Sequence, residues 1–280
     1  MRTTVSYFQK QKDSKIPITM LTAYDATSAR LAEKAGIEVL LVGDSLGMVI
    51  QGHENTVPVT LEDILYHSKI VVRSTQKAFI ISDLPFMTYH LSPEQALMNA
   101  ARCLQEGGVN SVKLEGGERM AETIRRLSEN GIPVMAHIGL TPQSVHSLGG
   151  WRVQGKTLAG AQQLVKDADI LQEAGAYAVL LELVPAELAS FISQRLIIPT
   201  IGIGAGAGCD GQVQVFHDIL GLTEDFVPKH ARQYAQSALM MREALQTYKK
   251  EVEARTFPTA QNAPSIKEDI IETLYGLLGK

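Results

Sequence analysis

A closed (β/α)8 barrel, a TIM barrel with extra terminal helices, is the fold this sequence predicts, and three observations carry the prediction. Short runs rich in Val, Ile and Leu alternate with longer stretches of helical periodicity. Most of these runs are near-continuous apolar strings, the pattern of strands buried on both faces of a parallel sheet. Glycine recurs just ahead of the strands, in AGIEVLLV, GGVNSVKL, NGIPVMAH and AGAYAVLL. That repeated order of helix, glycine and strand favours a barrel over the alternative, an open doubly wound sheet with a switch point.

In chain order the expected strands are Pro17 to Tyr24, Val39 to Asp44, Ala78 to Asp83, Ser111 to Glu115, Pro133 to Ile138, Ala178 to Leu183, Pro199 to Gly204 and, least regular, Val213 to Ile219. Helices fill the intervals. Gly36, Gly107, Gly131 and Gly175 stop four of them, while Ser92-Pro93-Glu94 starts another with a capping serine and a first-turn proline. Thr141 to Lys156, TPQSVHSLGGWRVQGK, reads as a long polar loop after the fifth strand, of the kind that covers a barrel's active site. After Phe226 the chain turns helical, with a long amphipathic stretch from Ala231 to Ala254. Residues 257–280 then form a linker containing PTAQNAPS and a short helix, Ile266 to Leu278. That helix carries Ile270, Ile271, Leu274, Leu277 and Leu278, apolar surface for docking on its own barrel or on a neighbouring subunit.

The chain has 280 residues, 45% of them hydrophobic, which suits one catalytic domain spanning residues 1–280. Its net charge of -4 is spread along the sequence, which argues against nucleic acid or an anionic membrane as partner. The N-terminus, MRTTVSYFQKQKDSK, lacks an apolar segment of signal-peptide length, and no later apolar run has the length of a membrane span. A soluble cytoplasmic protein is expected. Cys103 and Cys209 lack both a disulfide framework and metal-ligand spacing, so they read as ordinary reduced thiols.

Chemistry in such a barrel collects at the carboxyl ends of the strands. There the apolar runs are interrupted by Asp44 and Ser45, by Asp83, by Lys113 and Glu115, by His137 and by Glu182. Any one of these alone reads equally as a satisfied polar group or a cap; their recurrence at successive strand ends points to a site. Asp44, Asp83 and Glu115 are hard oxygen donors suited to Mg2+, which keeps waters and needs few carboxylates. Lys113 and Glu115 lie two apart on one strand and so share a face, either as part of a site or as a buried structural ion pair. Glu182, embedded in AVLLELV, is costly to bury as an unpaired anion, and an apolar setting would raise its pKa towards that of a useful base. His137 suits a substrate contact or proton shuttle, or equally a core histidine. The string GIGAGAGCDG satisfies G-x-G-x-x-G through Gly206, Gly208 and Gly211, but no following βαβ unit supports a dinucleotide site. Close backbone packing near a ligand explains it better.

The strings LTAYD (21–25), VGDSLGMVIQGHENTVPVT (42–60), SDLPFM (82–87), VKLEGG (112–117), HIGLTPQS (137–144), LELVP (181–185) and IGIGAG (201–206) together resemble the ketopantoate hydroxymethyltransferase family. The match covers most of the chain, as far as HDILGL at 217–222; Ala136 stands where many members have glycine. The resemblance implies transfer of a hydroxymethyl group from 5,10-methylenetetrahydrofolate to 3-methyl-2-oxobutanoate, giving 2-dehydropantoate for pantothenate and coenzyme A biosynthesis. It implies a Mg2+-stabilised enolate and a homo-oligomer, with a decamer expected. On matching positions Asp44 and Asp83 look like metal ligands that also meet the substrate, and Glu115 like a metal-site carboxylate. Ser45, Lys113 and His137 look like substrate contacts, and Glu182 like the proton-transfer residue. A metal-dependent lyase or mutase of 2-oxo acids uses the same logic without folate. A non-catalytic binding barrel would tolerate Glu182→Gln.

Overall fold

Alternation of side chains along each strand sorts the strand residues into two apolar sets. One set, including Ile18, Met20, Val39, Leu41, Phe79, Ile81, Met135, Leu180 and Val213, fills the inside of a ring of strands. The other, including Leu21, Leu40, Val42, Ile80, Val112, Leu114, Ala136, Val179 and Leu181, packs outward against helices. The structure is a computed structural model and describes residues 2–224 and 227–279. Its strands are β1 (Ile18–Thr22), β2 (Val39–Val42), β3 (Phe79–Asp83), β4 (Ser111–Glu115), β5 (Val134–Gly139), β6 (Ala178–Glu182), β7 (Thr200–Ile203) and β8 (Gly211–Gln214). They are all parallel and close in chain order, with β8 pairing back onto β1. The chain is a (β/α)8 barrel, not an open sheet.

Before the barrel comes α1 (Ser6–Asp13); the outer layer then runs through α2 (Ala26–Lys34), α3 (Leu46–Val49), α4 (Leu61–Ser74), α5 (Pro93–Gln105), α6 (Ala121–Glu129), α7 (Val145–Leu148), α8 (Leu158–Glu173), α9 (Ala186–Arg195) and α10 (Phe216–Leu220). The chain ends in α11 (Ser237–Glu253) and α12 (Glu268–Leu278). Ser92 caps α5 as its sequence predicts, accepting from the Gln95 N–H at 3.2 Å with Pro93 in the first turn.

Three expectations need correction. The run Val213 to Ile219 is not one strand: β8 stops at Gln214, and Phe216, Ile219 and Leu220 fall at the i, i+3, i+4 spacing of α10, which Gly221 ends at φ +61°. The long helix begins at Ser237, not Ala231. Tyr234 N–H and Ala238 N–H bond to the carbonyls of Ile219 and Gly221, at 2.7 and 3.0 Å, and hold the approach to the helix against α10. Phe226, where the helical reading starts, lies outside the described residues. Thr141 to Lys156 is not a plain loop, because a 3-10 turn (Pro142–Ser144) and α7 fold Gln143 and Val145 into the interior. Of the two docking sites expected for α12, its own barrel is not used: neither α11 nor α12 buries a residue in the single chain.

The segment α1 has no counterpart among the expected elements. It plugs the amino-terminal end of the barrel: Phe8 is buried edge-on against Phe79 and Tyr177, with ring centroids 5.2 and 4.9 Å away. Lys12 ties the plug to Asp210, ahead of β8, at 2.8 Å. Phe8→Ala should therefore cost about 3–5 kcal/mol of stability, measured by urea unfolding. A loss of under about 1 kcal/mol, typical of a surface change, would show that the plug does not close the core.

Both cysteines are free; burial pushes the Cys103 thiol up to about 11. Among the described residues no helix is long and apolar enough to cross a membrane.

Candidate active site

The parity that points Phe79 and Ile81, Met135, and Ala178 and Leu180 into the barrel carries on to Asp83, His137 and Glu182 at the carboxyl ends of the same strands. Strand register decides which of these become neighbours. Asp83 stands beside Lys113, Glu115 beside His137, and Gly139 beside Glu182. Lys113 Nζ lies 3.0 Å from Asp83 Oδ1. His137 Nδ1 is 3.4 Å from Glu115 Oε1, and its Nε2 is 3.4 Å from Glu182 Oε2. Asp44 and Ser45 follow β2 in the turn into α3, and Asp44 N–H donates to Asp83 Oδ2 at 2.9 Å. The strand-end residues singled out in the sequence thus meet at one mouth.

Two glycines make the approach possible. A Cβ on Gly43 would sit 2.9 Å from Ser45 Oγ and 3.4 Å from Asp83 Oδ2, crowding the carboxylate that reaches the Asp44 amide. Gly139 has φ +95°, and a Cβ there would collide with the Glu182 carbonyl oxygen.

Asp44, Asp83, Lys113, Glu115 and His137 are all nearly inaccessible to water, so their charges act in a poorly screened setting. Burial, then the negative charges of Asp83 and Glu115, push the Asp44 carboxyl well above the usual range. Burial also raises Asp83, although Lys113 opposes it. For Glu115 burial acts upward too, but His137 and Lys113 outweigh it and hold the carboxyl below its ordinary value. Lys113 is raised: desolvation is overcome by Asp83, Glu115 and Asp44, so it is a cation. Burial and Lys113 depress His137, but Glu115 and Glu182 lift it to about 9. The ring then carries positive charge and faces a carboxylate from each nitrogen at 3.4 Å, with no hydrogen bond from Nε2 among the described residues, while Lys113 Nζ approaches Nδ1 to 3.2 Å.

Glu182 differs from the expectation drawn from its apolar run. Its side chain keeps 14% of its surface, against 2% for His137, and it faces the imidazole instead of a wholly apolar wall. Ser45 is half-buried and shares a 2.7 Å hydrogen bond with the Tyr24 hydroxyl. The glycine string lies elsewhere: Gly206 and Gly208 let the segment before β8 press against Ala186 and Ser190 of α9, where a Cβ would clash. Its tight packing is against a helix.

A model of the ketopantoate hydroxymethyltransferase family matches residues 2–260. The 3-methyl-2-oxobutanoate hydroxymethyltransferase of Dehalococcoides mccartyi (strain ATCC BAA-2100) is 54% identical over 274 residues, 98% of each chain. That of Chloroflexus aurantiacus is 57% identical over 263 residues, 94% of this chain and 93% of the other. The chain belongs to the ketopantoate hydroxymethyltransferase family. Family membership makes it a transferase and sets aside the non-catalytic barrel. Among solved structures, 2,3-dimethylmalate lyase, a PEP mutase/isocitrate lyase superfamily member, superposes with a TM-score of 0.62 at 18% identity, covering 99% of this chain and 96% of that one. Phosphonopyruvate hydrolase gives 0.61 at 13%, covering 99% and 100%. At such identities the likeness is one of fold.

In this family member the donor set suits a hard divalent cation that needs few protein ligands. Among the described residues no three His, Cys, Asp or Glu side chains are gathered as a ready metal cage. The buried atoms Asp83 Oδ1 and Glu115 Oε1 nevertheless lack a hydrogen-bond partner there. Around them stand four carboxyl groups, those of Asp44, Asp83, Glu115 and Glu182, against the two basic side chains Lys113 and His137; burial and its neighbours resist ionisation of Asp44, which a bound cation would relieve. Mg2+, which keeps waters and shares its shell with substrate oxygens, fits such a half-built site better than zinc does.

Sequence reasoning passed over Gln143, Tyr89 and Tyr24 as site residues. Gln143 lies inside the HIGLTPQS string, and Tyr24 inside LTAYD; there the motifs held the signal. Tyr89 belongs to none of these strings, and its contact with the Glu115 backbone emerges only in three dimensions.

Proposed function

We propose that this enzyme transfers a hydroxymethyl group from 5,10-methylenetetrahydrofolate to 3-methyl-2-oxobutanoate, giving 2-dehydropantoate. The observation that carries the reading is the convergence at one mouth of Glu182, His137, Lys113 and the carboxylates Asp44, Asp83 and Glu115, in a chain whose relatives are named for that substrate.

Lys113 and His137 supply positive charge for the oxo acid's carboxylate and keto oxygens, and Ser45 a hydroxyl at the rim. Asp44 and Asp83, with Glu115 directly or through water, would hold Mg2+, which when bound draws electron density from the substrate carbonyl and so acidifies the neighbouring C–H. Glu182, more open than its neighbours, removes the proton from C3 of the oxo acid. His137, 3.4 Å behind it, orients the carboxylate and compensates its charge before the transfer. C3 then bonds to the methylene carbon of the folate as one of its two C–N bonds breaks; water replaces the other nitrogen on that carbon, leaving the hydroxymethyl group and releasing tetrahydrofolate, whose nitrogens take up the protons.

In the same reading the enzyme works in the cytoplasm as one barrel domain within a homo-oligomer, a decamer. The support for assembly is the apolar surface of α11 and α12, among it Met240, Leu245, Leu274 and Leu277, exposed in the single chain.

Turnover of 3-methyl-2-oxobutanoate by the purified protein with Mg2+, following 2-dehydropantoate with and without the folate, tests the reaction. Product that requires folate and disappears on chelation is the expected result. Turnover of the oxo acid without folate would instead indicate a lyase or mutase, and no product under any divalent cation would overturn the reading.

A further inference from the structure

We propose that Gln143 is a positioning residue at the mouth, its buried side-chain amide holding Asp44 while its backbone N–H holds Glu115, and that the amide thereby sets how tightly the mouth holds a divalent cation. The inference rests on the metal reading above.

Every polar atom of Gln143 apart from its carbonyl is committed. Nε2 donates to Asp44 Oδ2 at 2.8 Å and to the Leu84 carbonyl at 3.0 Å. Oε1 accepts from the Tyr89 hydroxyl at 2.7 Å, and the backbone N–H donates to Glu115 Oε2 at 3.0 Å. The side chain is 4% exposed, so water does not substitute for these partners.

Tyr89 decides which way round the amide sits. Its oxygen accepts from the Glu115 N–H at 3.1 Å, which leaves its own proton to be donated. Gln143 Oε1 at 2.7 Å is a nearer acceptor for it than the Glu115 carbonyl at 3.2 Å. With Oε1 held by that proton, both amide hydrogens face acceptors, one a carboxylate and one a carbonyl. A turned amide would set its oxygen against Asp44 Oδ2 and the Leu84 carbonyl and lose both bonds.

One residue on the segment after β5 therefore joins the ends of β2, β3 and β4. Its ties occupy one oxygen of each carboxylate, Asp44 Oδ2 and Glu115 Oε2, and leave the second oxygen of each for a cation. Glu115 Oε1 is buried with no hydrogen bond among the described residues. Partners that orient metal-binding carboxylates in this way are worth roughly 10–100-fold in metal affinity.

The test uses the full chain and Mn2+ alone as probe, reading free Mn2+ by electron paramagnetic resonance alongside thermal melting of each protein. Gln143→Met, similar in volume but without side-chain donors, removes the tie to Asp44, keeps the backbone N–H to Glu115, and should weaken Mn2+ binding roughly 10–100-fold. Tyr89→Phe, which frees the amide to turn, should weaken it by a smaller factor and decides the matter if Gln143→Met does not fold. A merely structural role would lower the melting temperature and leave the Mn2+ Kd where it was; that result in a folded variant overturns the proposal. A wild-type protein with no saturable Mn2+ binding would overturn the metal reading along with it, whereas wild-type binding matched by both variants overturns this inference alone.

Discussion

Glu182→Gln should slow solvent deuterium exchange at C3 of 3-methyl-2-oxobutanoate by about 10^2–10^4-fold, the usual span for removal of a positioned base, with metal present and folate absent. The half-reaction is the right readout because it isolates proton transfer from the later carbon–carbon bond formation. Glu182 keeps 14% of its side-chain surface and meets the protein through a 3.4 Å contact to His137, so the isosteric amide should leave the melting temperature close to that of the wild type. The amide still faces His137 Nε2 but takes no proton. Loss of exchange in a folded variant assigns the base to Glu182. Exchange at the wild-type rate would move the base elsewhere at the mouth.

Lys113→Met should have the largest effect on stability of any substitution at the mouth. The lysine is 3% exposed and sits 3.0 Å from Asp83 Oδ1, with Glu115 and Asp44 also acting on its charge. Removing one partner from a buried ion pair leaves the other charge uncompensated, at a cost of about 3–5 kcal/mol. For a chain of this length that is a fall in Tm on the order of 10 °C, measurable by calorimetry. A variant as stable as the wild type would mean that the carboxylates take up protons readily once the lysine is gone, and that the cluster is held by packing alone.

Much of the barrel was legible because the features that announce it are local. A strand buried on both faces must be apolar throughout, so β4 could be bounded at Ser111 and Glu115 from composition alone, and most of the other strands to within one or two residues. The ionisable residues of the mouth were legible for the same reason: a charged residue ending an apolar run, as Asp83 ends FIISD and Glu182 ends AVLLE, stands out from its neighbours, and their recurrence at successive strand ends marked the cluster. Where local signals compete, the reading failed. Val213 to Ile219 is apolar enough for a strand, yet Phe216, Ile219 and Leu220 also satisfy a helix, and only the hydrogen bonds of the closed sheet chose between them. Residues 6–13 carry one buried side chain, Phe8, too little for periodicity to reveal a plug.

The sequence by itself determined the fold class, the family and the set of ionisable residues brought to the barrel mouth, because strand parity and strand-end chemistry need no knowledge of distant neighbours. Tertiary structure alone decided the pairings: Lys113 with Asp83, His137 between Glu115 and Glu182, and Gln143 reaching 99 residues back to Asp44. It also decided that α12 leaves its apolar face exposed instead of on its own barrel. Register, closure and loop docking are long-range events, set by which strands hydrogen-bond side by side and by what the loops fold over, and one position's residue type does not encode the partner that the closed barrel will place beside it.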